Sequence, residues 1–282
     1  MNVKKTLSLL LCLSVVTGLA GMLAGCSGQP GGSPASAPPS QAGSAEANLL
    51  EQIKSSGKIV VGTSATNAPW ESIDADGNYV GYDMDLINEI ASRMGVEVQI
   101  EDMAFDALVA AVQTGKVNVA IASMGAKEER KEKVDFTQMY HQQMNVYLTK
   151  NGSDIEITDM GQLVDYTVGV QSGTLPDQFV TGLVDEGKMK DTQVSRYEAP
   201  ENMILDLEAG RVQVVAGDKN QAKEYEKKYD VQIIFECSFF GTGENIALPK
   251  NQPELLAELD SILDDLREEG FLAELADKWE VD

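Results

Sequence analysis

The chain has 282 residues and a formal net charge of −23 at pH 7, because 45 acidic side chains outnumber 22 basic ones. This excess of acid argues against nucleic acid and anionic lipid headgroups as partners, since both bind to basic patches. The length is sufficient for a hydrophobic core that holds by packing alone.

The first 25 residues have the pattern of an export signal. Two lysines precede an apolar run at 7–23, and small residues then lead into Cys26. This arrangement is similar to a bacterial lipobox and predicts a signal peptide over 1–25 and lipidation of Cys26; an ordinary signal peptide or a transmembrane anchor is the alternative. The Gly/Ser/Pro-rich stretch at 26–48 predicts a flexible tether. We therefore expect an extracytoplasmic protein that is lipid-anchored to the cell membrane.

Cysteine usage fits this expectation. Cys12 lies in the predicted leader and Cys26 is the predicted lipid site, so Cys237 alone remains in the mature chain. An intramolecular disulfide is then excluded, although an exported location permits disulfides. Because Cys237 follows the apolar run VQIIF, we expect a buried, small hydrophobic side chain.

Strand-like and helix-like segments alternate after the tether, which predicts an α/β fold. The predicted strands are 59–62, 96–100, 117–122, 144–149, 166–170 and 231–235. The predicted helices are 83–94, 105–114, 176–185, 219–228, a long helix from Pro253 to a stop at Gly270, and a short helix that carries Trp279. We expect one lobe over 49–143, completed by 244–282, and a second over 144–243, with two crossings that form a hinge.

A helix–glycine–strand block occurs twice. Residues 108–122 read LVAAVQTGKVNVAIA and residues 203–217 read MILDLEAGRVQVVAG. In each copy a glycine ends an apolar helical stretch, and a buried-type strand then runs up to a polar residue, Ser123 or Asp218. Open α/β sheets bind ligands at such strand ends, so the repeat predicts a small polar molecule in a cleft between two similar lobes.

Three residues near these strand ends are candidates for binding a charged ligand. Arg130 could grip a carboxylate with its guanidinium, or it could belong to a solvated charged helix, EERKEK. Thr174 could offer its hydroxyl and helix N–H groups to an anion, or it could simply be an N-cap. Asp218 could bind an ammonium group, and its alternative is also an N-cap. Trp70 and Phe105 could wall the site, although aromatic residues more often belong to the core.

From Lys58 to Trp279 the chain resembles the extracellular solute-binding proteins of family 3, which deliver polar amino acids to ABC importers. The segments that carry the resemblance are GTSATNAPWES, GNYVGYDMDLINEIASRMG, FDALVAAVQTGKVNVAIASMGAKEERKEKVDFT, VGVQSGT, LEAGRVQVVAGD and LREEGFLAELADKW. The resemblance implies a two-lobed periplasmic-binding-protein-like (type II) fold, an amino acid in the cleft, a membrane permease as partner, a monomer, and no cofactor or metal.

The resemblance also implies residue roles. In the family, the arginine that corresponds to Arg130 binds the ligand carboxylate, and the aspartate that corresponds to Asp218 binds the ammonium. Further family contacts fall on Ser123, Gly125, Thr174, Phe105 and Trp70.

Four positions depart from the family pattern. Asn67 replaces an aromatic residue, Gly125 replaces a Ser or Thr, and Leu175 replaces a second Thr. Ser64 stands where relatives that select basic amino acids have an Asp. We therefore expect Asn67 and Ser64 to shape a site for a neutral polar amino acid, or for glutamate or cystine.

Two other functions use the same fold. One is an enzyme such as a prephenate or arogenate dehydratase, but the single histidine, His141, lies near the predicted crossing, where we expect a hinge residue. One His and one remaining Cys supply neither a catalytic triad nor a zinc set. The other is a ligand-sensing module, which is usually fused to a transmembrane or kinase segment that this sequence lacks after Trp279. We expect a binding protein without enzymatic activity.

Overall fold

The computed structural model describes residues 48–142, 144–239 and 243–281. The predicted leader, Cys26 and nearly all of the predicted tether lie outside these segments. Within them, no helix combines the length and apolar character needed to cross a membrane.

Each predicted helix has a counterpart among the described ones, and the helix at Leu49–Ser56 was not predicted. They are Leu49–Ser56 (α1), Tyr82–Met94 (α2), Leu108–Gln113 (α3), Glu128–Lys131 (α4), Leu175–Asp185 (α5), Pro200–Glu208 (α6), Lys219–Lys228 (α7), Pro253–Glu268 (α8) and Phe271–Trp279 (α9). Short 3-10 turns occupy Phe105–Ala107, Met160–Asp165 and Asp191–Gln193. The predicted helix at 105–114 is thus one 3-10 turn that runs into α3.

The described strands include several short pairs that the sequence pattern did not predict. They are Lys58–Thr63 (β1), Thr66–Asn67 (β2), Glu71–Ile73 (β3), Tyr79–Val80 (β4), Glu97–Asp102 (β5), Val119–Ala120 (β6), Val134–Phe136 (β7), His141–Gln142 (β8), Asn145–Lys150 (β9), Val168–Gln171 (β10), Val194–Tyr197 (β11), Val214–Asp218 (β12), Val231–Cys237 (β13), Gly243–Glu244 (β14) and Ala247–Pro249 (β15).

The first five-stranded sheet has the order β5-β1-β6-β15-β7. The apolar face of α2 (Leu86, Ile87 and Ile90) and the Leu-rich face of α8 are fully or almost fully buried in one core cluster against this sheet. α3 contributes to a second cluster with Val117 and Ala120. We call this part of the chain the first lobe.

The second five-stranded sheet has the order β11-β10-β12-β9-β13. Side chains from α5 pack with those of β10 and β12 in one core cluster, and side chains from α6 pack with those of β9 and β12 in another. We call this part the second lobe. Cys237, at the end of β13, is a buried free cysteine, as its apolar context predicts.

Two short strands connect the lobes. The chain leaves the first lobe through β8 and returns through β14, and these strands pair antiparallel, with Gly243 opposite Gln142 and Glu244 opposite His141. Because both crossings lie side by side, a single narrow ribbon joins the lobes. Gln143, at the first predicted boundary, lies outside the described residues, and the exact lobe boundaries stay a prediction.

The duplicated block is present in both lobes as α3–β6 and α6–β12. Its glycines, Gly115 and Gly210, have φ of 70° and 71°, the left-handed conformation expected after a helix. The predicted strand at 117–122 is too long, because β6 spans only Val119–Ala120. Its neighbours β1 and β15 run in opposite directions and pair with it only there.

Candidate functional site

A cavity lies between the two lobes and is lined from both sides. The first lobe contributes Asn67, Glu71, Phe105, Ser123, Gly125 and Arg130. The second lobe contributes polar side chains at its strand ends and helix starts, namely Asn145, Gln171, Thr174, Asp218 and Gln221, with Leu175, Pro176, Met203, Ala216 and Gly217 beside them.

Seven of the nine predicted site residues line this cavity: Asn67, Phe105, Ser123, Gly125, Arg130, Thr174 and Asp218. Trp70 and Ser64 are not among the residues that line it; they are 0% and 3% exposed.

Arg130 lies in α4 and is only 5% exposed, so it is not part of a solvated helix face. Its Nη1 donates to the Gly125 carbonyl at 2.6 Å, and its Nη2 donates to the Gly173 carbonyl at 2.8 Å. The guanidinium carbon lies 5.0 Å from the centre of the Phe105 ring. The guanidinium is thus fixed by two carbonyls and one aromatic ring at the cavity.

The charge of Arg130 has no carboxylate counterion in the described part of the chain. Burial lowers the pKa of Arg130 to about 10, so the group stays charged at neutral pH. An arginine has five N–H donors, and the two bonds to carbonyls leave others for a ligand. A buried guanidinium with spare donors is suited to an anionic group such as a carboxylate.

Gly173 brings the second lobe close to Arg130. It has φ of 80°, and a Cβ at this position would lie 3.1 Å from the Asp106 Cβ of the first lobe. Only a glycine is therefore free of strain here. Its carbonyl also accepts a hydrogen bond from Lys127 Nζ at 3.3 Å, so two cationic side chains of the first lobe reach one carbonyl of the second.

Asp218 ends β12 and is also the N-cap of α7. Its Oδ1 accepts from Gln221 N at 2.9 Å and from Trp70 Nε1 at 2.9 Å. Its Oδ2 is buried and has no hydrogen-bond partner within the described segments. The N-cap alternative is therefore correct, yet the cap uses one oxygen and leaves the other for a cation such as an ammonium group.

Thr174 is the N-cap of α5, as its alternative interpretation predicts. Its hydroxyl donates to the Gln171 carbonyl at 2.7 Å and accepts from Asp177 N at 3.4 Å. The hydroxyl is thus committed to the local turn, and the residue forms part of the cavity wall.

Asn67 makes one wall of the cavity polar. Its Nδ2 donates to Ser123 Oγ at 3.0 Å, and Ser123 N donates to Asp83 Oδ2 at 2.7 Å. Ser123 has a φ of 42°, unusual for a residue other than glycine. The Asp83 carboxylate stabilises this turn by accepting its N–H.

Sequence reasoning missed Glu71, which lines the cavity and is 0% exposed. It lies directly after Trp70 in β3, where alternation of polar and apolar residues gives no sign of burial. Burial, and then the neighbouring Asp83 carboxyl, raise the pKa of Glu71 well above its usual value. Asn145, Gln171, Met203 and Gln221 were also missed. The described residues contain no group of three or more His, Cys, Asp or Glu side chains arranged to hold a metal ion.

Comparison with known proteins gives consistent matches. Residues 59–282 match the family model of bacterial extracellular solute-binding proteins, family 3. ABC transporter arginine-binding protein 1 of Escherichia coli (strain K12) is 27% identical over 227 residues, which cover 79% of this chain and 90% of that protein.

Two solved structures are also similar. An ancestral arginine-binding protein bound to arginine has a TM-score of 0.73 and 34% identity, covering 79% of this chain and 98% of that one. The ancestral amino acid-binding protein AncCDT-1, a precursor of cyclohexadienyl dehydratase, has a TM-score of 0.74 and 28% identity, covering 83% of this chain and 99% of that one.

Proposed function

Because the chain belongs to the bacterial extracellular solute-binding proteins of family 3, we propose that it captures a free polar amino acid between its lobes and delivers it to the permease of an ABC importer. One observation carries the proposal. Arg130 of the first lobe and Asp218 of the second line one cavity with opposite charges, spare donors on one side and a spare acceptor oxygen on the other.

The two groups match the two ends of an amino acid. The Arg130 guanidinium fits the α-carboxylate, because its planar fork donates two parallel hydrogen bonds to a carboxylate. Asp218 Oδ2 fits the α-ammonium group, which needs a charged acceptor when it is buried. The Phe105 ring packs against the guanidinium, with its centre 5.0 Å from the guanidinium carbon.

Binding across the cleft also links ligand occupancy to the arrangement of the two lobes. The lobes are joined by the narrow β8–β14 ribbon, and a ligand held by Arg130 and Asp218 favours the arrangement in which the lobes approach each other. We propose that this closed arrangement is the form that docks on the permease.

The remaining parts of the proposal concern location. We propose cleavage after residue 25, lipidation of Cys26 and a tether over 26–48 that holds a monomeric binding domain at the outer face of the cell membrane. The family description, which names extracellular proteins, supports an extracytoplasmic location. Labelling of growing cells with a clickable fatty acid tests the anchor, since Cys26→Ala abolishes incorporation if the proposal is correct.

Calorimetric titration of the full chain against the twenty amino acids and cystine tests the function. We expect at least one amino acid to bind near micromolar, which is about −8 kcal/mol. Asp218→Asn abolishes this binding, whereas Asp185→Asn, an exposed carboxylate of the same lobe, leaves it unchanged. No binding across the panel, by a folded protein, contradicts the proposal.

A second function, catalysis by a dehydratase, has one observation in its favour. The buried carboxyls of Glu71, which lines the cavity, and Asp83 are in contact and could hold a proton for general acid catalysis. We nevertheless propose a binding protein without turnover, because Arg130 and Asp218 match the two charged ends of an intact amino acid. Incubation with prephenate and arogenate, followed by ultraviolet absorbance of the aromatic product, tests this choice. Turnover that Glu71→Gln abolishes replaces the binding proposal by the enzymatic one.

A further inference from the structure

Glu71 is a fully buried carboxyl at the surface of the cavity. Neither of its oxygens accepts a well-formed hydrogen bond from the described part of the chain. Its immediate neighbours are the Asn67 amide and the Asp83 carboxyl, and neither Glu71 nor Asp83 has a lysine or arginine as ion-pair partner within the described segments. A buried carboxylate without donors is costly, so this group is suited to a partner that arrives with the ligand.

Three further carboxyl groups lie near Glu71 or its neighbour Asp83. The titratable groups that face it or its neighbour from the packed elements are Asp83 of α2, Glu244 of β14, Asp218 of β12, and Tyr140 and His141 of the connecting segment. His141 Nδ1 lies 3.5 Å from Glu244 Oε2, and the Tyr140 hydroxyl lies near Asp83. The electrostatic field at Glu71 therefore favours a positive charge or a proton.

With Glu71 ionised, the charges of the cavity wall reach balance when the ligand has a cationic side chain. The α-carboxylate and α-ammonium groups of an amino acid compensate Arg130 and Asp218, and Glu71 remains without a counterion. A neutral side chain leaves Glu71 either buried as an unpaired anion or protonated, and an acidic side chain adds a further negative charge to the cluster.

We propose, on the basis of the function proposed above, that Glu71 is the anchor for a cationic group on the ligand's side chain, and that this cation displaces the proton held between the Glu71 and Asp83 carboxyls. The ligand class is the basic amino acids. Two carboxyls in contact share one proton when no cation is near, because two buried like charges repel. On binding, the proton leaves to solvent, Glu71 becomes a carboxylate, and the ligand cation pairs with it.

A basic amino acid differs from the ligand expected from Ser64, which was a neutral polar amino acid, glutamate or cystine. Ser64 is 3% exposed and is not among the residues that line the cavity. Glu71 supplies a carboxylate to the same cavity from the next strand pair, β2–β3.

The test compares arginine with citrulline, in which a neutral urea replaces the guanidinium at almost the same shape. The full chain, Glu71→Gln and the control Glu97→Gln are titrated calorimetrically with both ligands, and also with lysine, glutamine and glutamate. Glu97 is an exposed glutamate of β5 in the same lobe. Measurements at pH 6 in two buffers of different ionisation enthalpy give the number of protons released for each bound ligand.

We expect a basic amino acid to bind more tightly than its neutral counterpart by about 30-fold or more, as for a buried charge pair that loses one partner. Glu71→Gln removes this preference and the proton release, and Glu97→Gln changes neither. Equal binding of arginine and citrulline, or equal losses for both in Glu71→Gln, overturns the role of Glu71, and zero proton release overturns the displacement. Binding of neither ligand class contradicts the proposed function instead.

Discussion

The indole Nε1 of Trp70 donates a hydrogen bond to Asp218 Oδ1 at 2.9 Å, and this bond joins the first lobe to the second. Trp70 is fully buried and is not among the residues that line the cavity, and this hydrogen bond connects it to a residue that does. Because Oδ1 also accepts from Gln221 N, the carboxylate is held in one orientation with Oδ2 unpaired. Trp70 is therefore a positioning residue for the candidate ammonium site.

Trp70→Phe keeps the aromatic packing and removes this bond. We expect ligand affinity to fall by about 1.5–3 kcal/mol, the usual loss for one hydrogen bond to a charged group. Calorimetry measures the effect, and Trp279→Phe is the matched control, because Trp279 Nε1 donates to Asp85 Oδ2 at 2.6 Å away from the cavity. An unchanged affinity in Trp70→Phe contradicts the positioning role.

Arg130→Lys tests whether the planar fork of the guanidinium is needed, or only its charge. A lysine ammonium cannot span the Gly125 and Gly173 carbonyls and still present parallel donors to a carboxylate. We expect affinity to fall in Arg130→Lys, and by about 2–5 kcal/mol in Arg130→Ala. Arg196→Lys is the control, because it replaces an arginine by a lysine on the surface of the second lobe. Full affinity in Arg130→Lys shows that charge alone suffices.

The alternation of strands and helices, the duplicated block and the glycine stops could be read from the sequence, because each depends on neighbouring residues. The lengths of strands could not, as the two-residue β6 shows: its pairing is set by strands distant along the chain. The charged ends of the site could be proposed from the repeat, since Ser123 and Asp218 end equivalent strands.

Burial decided the points that the sequence left open. Arg130 in EERKEK has the local pattern of a solvated helix, and only its packing on Phe105 and two carbonyls distinguishes it from Lys131, which pairs with Glu128 in solvent. Glu71 could not be predicted because its neighbours Asp83 and Glu244 come from other elements. Trp70 was predicted to wall the cavity but is not among the residues that line it.

The affinity for a basic amino acid should depend on pH through Glu71. Its pKa is raised by burial and by the Asp83 carboxyl, and a ligand cation favours the ionised form. Affinity therefore increases as pH rises from 5 towards the raised pKa, by up to about tenfold per unit for one displaced proton. Dissociation constants at pH 5, 6, 7 and 8 check the trend, which Glu71→Gln should flatten. Affinity that falls over this range contradicts the proton displacement.

Glu244 should make the unliganded protein less stable as pH rises. It is 0% exposed, neither oxygen accepts a hydrogen bond within the described segments, and burial raises its pKa well above 4.5. The folded state then keeps a proton that the unfolded state has lost, so stability is greatest below the unfolded pKa and declines between that value and the raised one. The slope is up to about 1.4 kcal/mol per pH unit for one proton.

Glu244→Gln removes this titration. Denaturant unfolding without ligand should therefore show that the free energy of unfolding of Glu244→Gln rises relative to that of the unsubstituted protein between pH 5 and pH 8. The control Glu97→Gln should keep a constant difference from the unsubstituted protein over the same range. Since His141 Nδ1 lies 3.5 Å from Glu244 Oε2, a protonated histidine also stabilises the ionised carboxylate at low pH. Repeating the comparison of Glu244 with Glu244→Gln in a His141→Gln background separates the two effects, because Glu244 stays buried without the histidine. A pH-independent difference between the two proteins contradicts a buried, titrating Glu244.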